Sequence, residues 1–152
     1  MQSLRKKEVF GPKSLFTVKG SRLSPADTDA NWQNMHCSDA VGIDVLYDTS
    51  GEKPFGLGLI RFPPYGEVPL HVHEGSHMLI CFDGEALVNV QSKVIGGKEH
   101  FIAHTVSVGE CYQIESRIPH SIHAGSQGVL LLVVGNDYRM AANHDRLEVV
   151  NG

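Results

Sequence analysis

Residues 71–77 read His71-Val72-His73-Glu74-Gly75-Ser76-His77, at the junction of two strand-like runs, Val68–His73 and His77–Phe82. Successive side chains on a strand leave opposite faces, so His71 and His73, two apart, point the same way and can reach one ion. Glu74-Gly75-Ser76 is long enough only for a turn or tight loop, so His77 can return beside the first two imidazoles. His120 is the best candidate for a fourth ligand, because it follows Pro119 at the start of another short strand. A lone His-x-His pair carries little weight. Buried imidazoles without a metal, however, would each need a hydrogen-bond partner and would oppose one another's protonation, which makes a metal-free core an expensive use of four of them. Nitrogen ligands on neighbouring strands also leave a coordination position open.

Working outward, the chain from Phe55 onward is a train of short apolar or alternating runs. They are Phe55–Phe62, Val68–His73, His77–Phe82, Ala86–Val90, Phe101–Val108, Glu110–Ile114, Ser121–Ala124 and Val129–Val134. Turn residues separate them at Pro63-Pro64-Tyr65-Gly66, Asp83-Gly84, Gly96-Gly97, Gly109 and Gly125-Ser126-Gln127-Gly128. This is the pattern of an antiparallel sandwich or barrel. Asp83-Gly84 is the sharpest turn signal and is expected to join two paired strands as a hairpin. In the first fifty residues, Leu15–Val18 and Val41–Tyr47 read as strands. Ser24-Pro25-Ala26-Asp27 reads as a cap followed by proline at the first position of a short helix. Leu147-Glu148-Val149-Val150, after a polar stretch, is expected to add an edge strand or to meet a partner subunit.

The 152 residues suit one domain, with a barrel core at about 41–135, an arm over 1–40 and a tail over 136–152. Sixteen glycines fit many tight turns. Thirteen basic against seventeen acidic residues give a net charge of −4, with no basic block beyond Arg5-Lys6-Lys7, so neither nucleic acid nor a membrane surface is an expected partner. With no apolar leader and no span-length apolar run, the expected address is cytoplasmic. Cys37, Cys81 and Cys111 are odd in number and widely spaced, which suits reduced thiols; Cys81 and Cys111 are expected in the core. Nine histidines stand out, seven of them between His71 and His123.

The spacing resembles that of the cupin superfamily. The first cupin motif is matched by Gly66, four residues, His71-Val72-His73, three residues, His77, six residues and Gly84. The second is matched by Gly109, five residues, Glu115-Ser116-Arg117, Ile118-Pro119, His120, three residues and Ala124, with the motif's Pro, Gly and Asn replaced. Residues 85–108 correspond to the variable segment between the motifs. The resemblance implies an all-β fold, the double-stranded β-helix or jelly-roll barrel, with a less regular N-terminal extension and a divalent metal in its mouth. It carries His71, His73 and His120 over as ligands. His77 stands where most cupins have glutamate, so its place in the shell rests on chemistry as much as on the resemblance. A neutral imidazole there leaves the site one unit more positive and favours an anionic ligand. Cupins of this size usually pair through barrel edges, so a homodimer is expected, with the Trp32 region as a covering element.

Arg61 is a candidate for holding a substrate carboxylate, against the competing reading of a surface ion pair. Tyr65, Glu67, Tyr112 and Glu115 are candidates for proton transfer. His100 and His104 share a strand face and could line the opening, although a solvated loop or dimer edge is the stronger reading. His123 faces away from His120 and reads as structural or surface, and His36 and His144 carry no spacing signal. The first functional reading is a dioxygenase-type oxidoreductase acting on a small anionic or enolisable molecule. It would use one divalent ion per subunit, iron(II) before copper, nickel, manganese or zinc. The alternatives are a redox-neutral metal-dependent isomerase, hydrolase or lyase, and a non-catalytic cupin that binds a small ligand.

Overall fold

Gly84 and Gly128 face each other with backbone φ of +77° and +71°, and a Cβ on Gly84 would lie 2.0 Å from the Gly128 carbonyl oxygen. The architecture turns on this contact. In the computed structural model the described residues are 16–19, 22–25, 32–35, 38–48, 55–136 and 148–150. They form β1 (Phe16–Lys19), β2 (Arg22–Pro25), β3 (Gln33–Asn34), β4 (Val41–Asp48), β5 (Phe55–Phe62), β6 (Glu67–Val72), β7 (His77–Ile95), β8 (Lys98–Ser107), β9 (Cys111–Ile114), β10 (His120–Gly135) and β11 (Glu148–Val149). No helix occurs among the described residues, and none is therefore long and apolar enough to cross a membrane. β1 and β2 pair with each other, and the other nine strands form one antiparallel system.

The long strands β7 and β10 run antiparallel as a ribbon that serves two wings. In the first wing, residues 86–90 of β7 and 120–124 of β10 pair, flanked by β8 on one side and by β6 and then β11 on the other. In the second, residues 77–84 of β7 and 129–135 of β10 pair, flanked by β9 on one side and by β5, β4 and β3 on the other. The ribbon bends between the wings, where residues 125–128 of β10 face the single residue Glu85. Glycines without a Cβ allow the two backbones to cross that closely. The result is an all-β jelly-roll barrel.

Two expectations about turns change accordingly. Asp83-Gly84 does not close a hairpin, because β7 keeps the same partner, β10, on both sides of it; the positive φ serves a bulge, not a reversal. The Gly125–Gly128 turn is likewise an interruption inside β10. The real hairpin is at Gly96-Gly97, both with positive φ, where Ile95 pairs with Lys98 as a two-residue turn requires. The helix expected from Ser24 is contradicted at its start, since Ser24 and Pro25 pair with Thr17 and Phe16 in a strand, and its continuation lies outside the described residues. The expected C-terminal edge strand is present as β11.

Burial follows alternation. Ile60, Phe62, Val68, Leu79, Cys81, Ala86, Val88, Val106, Ile114, Ile122, Leu131 and Val133 form the interior. Their strand neighbours Leu59, Leu130 and Leu132, with Ile43, form a second cluster on the outer face of the second wing, against which Trp32, Leu57, Ile80, Phe82 and Val134 pack. Burial on both faces explains why Val129–Val134 reads as an unbroken apolar run. Cys81 is in the core as expected, but Cys111 is exposed, because Tyr112 and Ile114 take the inward positions of β9. Cys37 lies outside the described residues.

Candidate metal centre

The strand β6 carries an irregularity that decides where His71 points. His71 lies opposite His120, while Val68 lies opposite Ile122, so three steps on β6 match two on β10. The extra residue flips the alternation, letting both Val68 and His71 face inward. Pro69, which has no N–H to give to the ladder, sits in this bulge, and its carbonyl accepts the Nδ1–H of His71 at 2.7 Å.

The same device recurs twice. His120 Nδ1–H donates to the Ile118 carbonyl at 2.7 Å and His73 Nδ1–H to the Gly75 carbonyl at 2.8 Å. A carbonyl can only accept, so each contact fixes the tautomer with the proton on Nδ1 and leaves Nε2 as a lone-pair nitrogen. Ring centroids are 4.2 Å apart for His71 and His120, 4.9 Å for His73 and His120, and 5.5 Å for His71 and His73. One ligand nitrogen from each of these three lies within 4.8 Å of the other two, close enough to hold one metal ion.

His77 opens β7 between Gly135 of β10 and Ile114 of β9. Its ring lies 4.5 Å from that of His73 and 5.5 Å from that of His120. Both of its ring nitrogens and His120 Nε2 are buried with no hydrogen-bond partner. Buried polar atoms are normally satisfied, and leaving three such nitrogens bare costs about 1–3 kcal/mol each. An ion held by His71, His73 and His120 would satisfy His120 Nε2, so these residues fit a metal; His77 stands outside that close group and, with a single lone pair, could offer such an ion only one of its two nitrogens.

The electrostatics agree. Burial lowers the His71 pKa from 6.5 to about 4, with His73 adding to the effect against the opposing Pro69 hydrogen bond. Burial and the surrounding histidines hold His77 and His120 well below the ordinary range. These imidazoles are neutral at pH 7, as nitrogen ligands must be.

The two motif loops are tied together above this cluster. Arg117 N–H donates to the His73 carbonyl at 2.9 Å, its guanidinium pairs with Glu74, and Ser116 Oγ donates to the Glu74 carbonyl. Glu74 is therefore turned outward to solvent. Arg117 has φ of +59°, in the left-handed region, at the motif position where cupins carry glycine.

The other sequence candidates are not gathered here. Arg61 shares the outer face of β5 with Leu57 and Leu59, away from the interior, and its guanidinium sits 4.7 Å over the Trp32 ring. Tyr65 is exposed in the turn at the far end of β6 from His71, with its N–H on the Gly125 carbonyl. Glu115 is exposed at the start of the β9–β10 loop. Glu67 and His123 pair with each other on the outer face of the first wing. His104 and Tyr112 meet at 4.6 Å between the edge strands β8 and β9, while His100 is exposed on the projecting part of β8. Burial raises the Tyr112 pKa. His36 and His144 lie outside the described residues. Sequence reasoning missed the three carbonyl locks; their signal was each histidine's own neighbour two residues away.

A match to the cupin domain family model spans residues 58–135, which contains all four histidines and both halves of the β7–β10 ribbon. The chain belongs to the cupin family. Solved cupin structures share its fold. A cupin-2 domain protein from Rhodospirillum rubrum matches with a TM-score of 0.56 at 16% identity, over 74% of this chain and 66% of that one. The cupin domain of Cnp3 from Schizosaccharomyces pombe gives 0.57 at 13%, over 76% and 75%. A variant of oxalate decarboxylase from Bacillus subtilis gives 0.61 at 20%, over 80% of this cupin but only 31% of the decarboxylase. This cupin thus spans under two thirds of the first relative and about a third of the decarboxylase. No curated protein matches it by sequence.

Proposed function

We propose that this cupin binds one divalent metal ion per subunit through His71, His73, His77 and His120 and acts as a dioxygenase-type oxidoreductase on a small anionic or enolisable molecule. The observation that carries the reading is the convergence of His71, His73 and His120, each locked in the ligating tautomer with a nitrogen within 4.8 Å of the other two, and His77, a buried neutral imidazole, packs against them as the fourth candidate. An all-imidazole shell brings no negative charge, so the ion keeps its full charge and favours an anionic oxygen ligand. A nitrogen-rich set suits iron(II) first, then copper, nickel, manganese or zinc. A bound ion would supply Lewis acidity and, if redox-active, a route for electrons to dioxygen. The chain itself holds the rings rigid through the three carbonyls and flanks them with apolar side chains, Ile114 opposite His77 and Val90 opposite His120.

Metal analysis of protein purified without chelator tests the shell, and finding no divalent ion before or after reconstitution overturns it. Oxygen uptake with a panel of enolisable carboxylates separates the readings. Uptake with iron-loaded but not zinc-loaded protein supports the dioxygenase. Turnover with zinc and no oxygen consumed points instead to a redox-neutral isomerase or lyase.

A further inference from the structure

Four polar side chains line up across the outside of the first wing. Val68, Val88, Ile122 and Ala124 face the core, so their strand neighbours Glu67, Asn89, Ser121 and His123 face the other way. His123 lies directly opposite Glu67 on β6, and Ser121 directly opposite Asn89 on β7. Glu67 Oε2 is 3.1 Å from His123 Nδ1. His123 Nε2 is 3.2 Å from Ser121 Oγ, and Asn89 Nδ2 donates to the same Oγ at 3.3 Å.

One proton arrangement satisfies all three contacts. A carboxylate only accepts, so Nδ1 of His123 carries the proton and Nε2 presents a lone pair. The Asn89 amide donates to Ser121 Oγ, which leaves the hydroxyl hydrogen for Nε2. Nucleophile, base and orienting carboxylate thus form one hydrogen-bonded chain, with the Asn89 amide donating to the nucleophile's own oxygen.

We propose that Ser121 is the nucleophile of a second, metal-independent site that hydrolyses small esters. Ser121 Oγ attacks the ester carbonyl carbon as its proton passes to His123 Nε2. The Asn89 amide donates to the developing oxyanion, the ester C–O bond breaks, and His123 returns the proton to the departing alkoxide. Water, deprotonated by the same nitrogen, then attacks the acyl carbon; the acyl–Oγ bond breaks, His123 returns the proton to Ser121 Oγ, and the acid is released. Register supplies the substrate class. Leu87 lies opposite His123, Ala103 opposite Asn89 and Phe101 opposite Gln91, and all three are exposed on this outer face. Ser121 is recessed beside them, with 7% exposure. A short acyl group on an apolar or aryl alcohol fits this strip. The two sites share β10 back to back, with His120 facing in and Ser121 facing out, and share no side chain.

The test uses the full chain with and without chelator, a fluorophosphonate probe, and 4-nitrophenyl acetate as the ester. Labelling mapped to Ser121 and hydrolysis that survives chelation are expected. Ser121→Ala and His123→Ala should each lower the rate by about a hundredfold or more, and Glu67→Gln by less. An unchanged urea midpoint of Ser121→Ala shows that the variant is folded. Absence of the Ser121 adduct, or a Ser121→Ala protein that keeps its rate while His123→Ala loses it, overturns the proposal, the latter because a surface imidazole alone would then be the catalyst.

Discussion

His71 and His120 face each other across β6 and β10 with ring centroids 4.2 Å apart, and each donates its Nδ1–H to the carbonyl of the residue two positions before it, Pro69 and Ile118. The pair is locked the same way on both strands, so two lone-pair nitrogens converge. A centre prepared in this way loses little freedom when metal arrives.

Removing a ligand should therefore be read in the metal. His71→Ala and His120→Ala should lose at least the roughly 10–100-fold in affinity that loss of even an outer partner costs, measured by titration calorimetry or by metal content after dialysis. His77→Ala should weaken binding as well. Full occupancy in that variant would remove His77 from the shell.

Acid should destabilise the metal-free protein before it protonates the folded site. His71 titrates near 6.5 when unfolded and about 4 when folded, so between those values the unfolded chain binds the extra proton. Its contribution to stability is complete above about pH 6.5 and is lost progressively as pH falls towards 4. His77 and His120 act in the same direction. Urea midpoints of chelated protein should be lower at pH 5 than at pH 7.5; equal midpoints would contradict a buried neutral cluster.

Gly84 and Gly97 share a φ of +77° but not a setting, since a Cβ on Gly84 meets the Gly128 carbonyl while one on Gly97 meets nothing within 4 Å. Gly97→Ala should cost about 1–2 kcal/mol, the left-handed penalty alone. Gly84→Ala should add to that about 1–3 kcal/mol or more of overpacking at the crossing between wings. Denaturant unfolding of the two variants checks the order.

Arg61→Ala should leave metal content and any turnover unchanged, because the side chain lies over Trp32 on the outer face. Its effect should be confined to stability, at about 0.5–1 kcal/mol for an exposed cation–π contact. A raised KM for an anionic substrate would return Arg61 to the site.

Much of the centre was legible because a strand's period of two is a local rule. His-x-His at 71 and 73, a three-residue link and His77 place imidazoles together from spacing alone, and the length of Phe55–Phe62 was readable from its apolar pattern. Arg61 was misleading for the same reason. Its parity relative to His71 could not be carried through the Pro63–Gly66 turn and the β6 bulge, and both alter which face a residue meets.

By itself the sequence determined the all-β class, the cupin spacing and the set of histidines, since these depend on residue type and on separations of a few residues. The tertiary structure alone decided that Asp83-Gly84 is a crossing point and not a hairpin, that His71 turns inward at Pro69, and that Glu67, His123, Ser121 and Asn89 form a row. Each of these depends on which strand lies opposite which. That is set by the register of β10 against β6 and β7, a long-range pairing that no local pattern encodes.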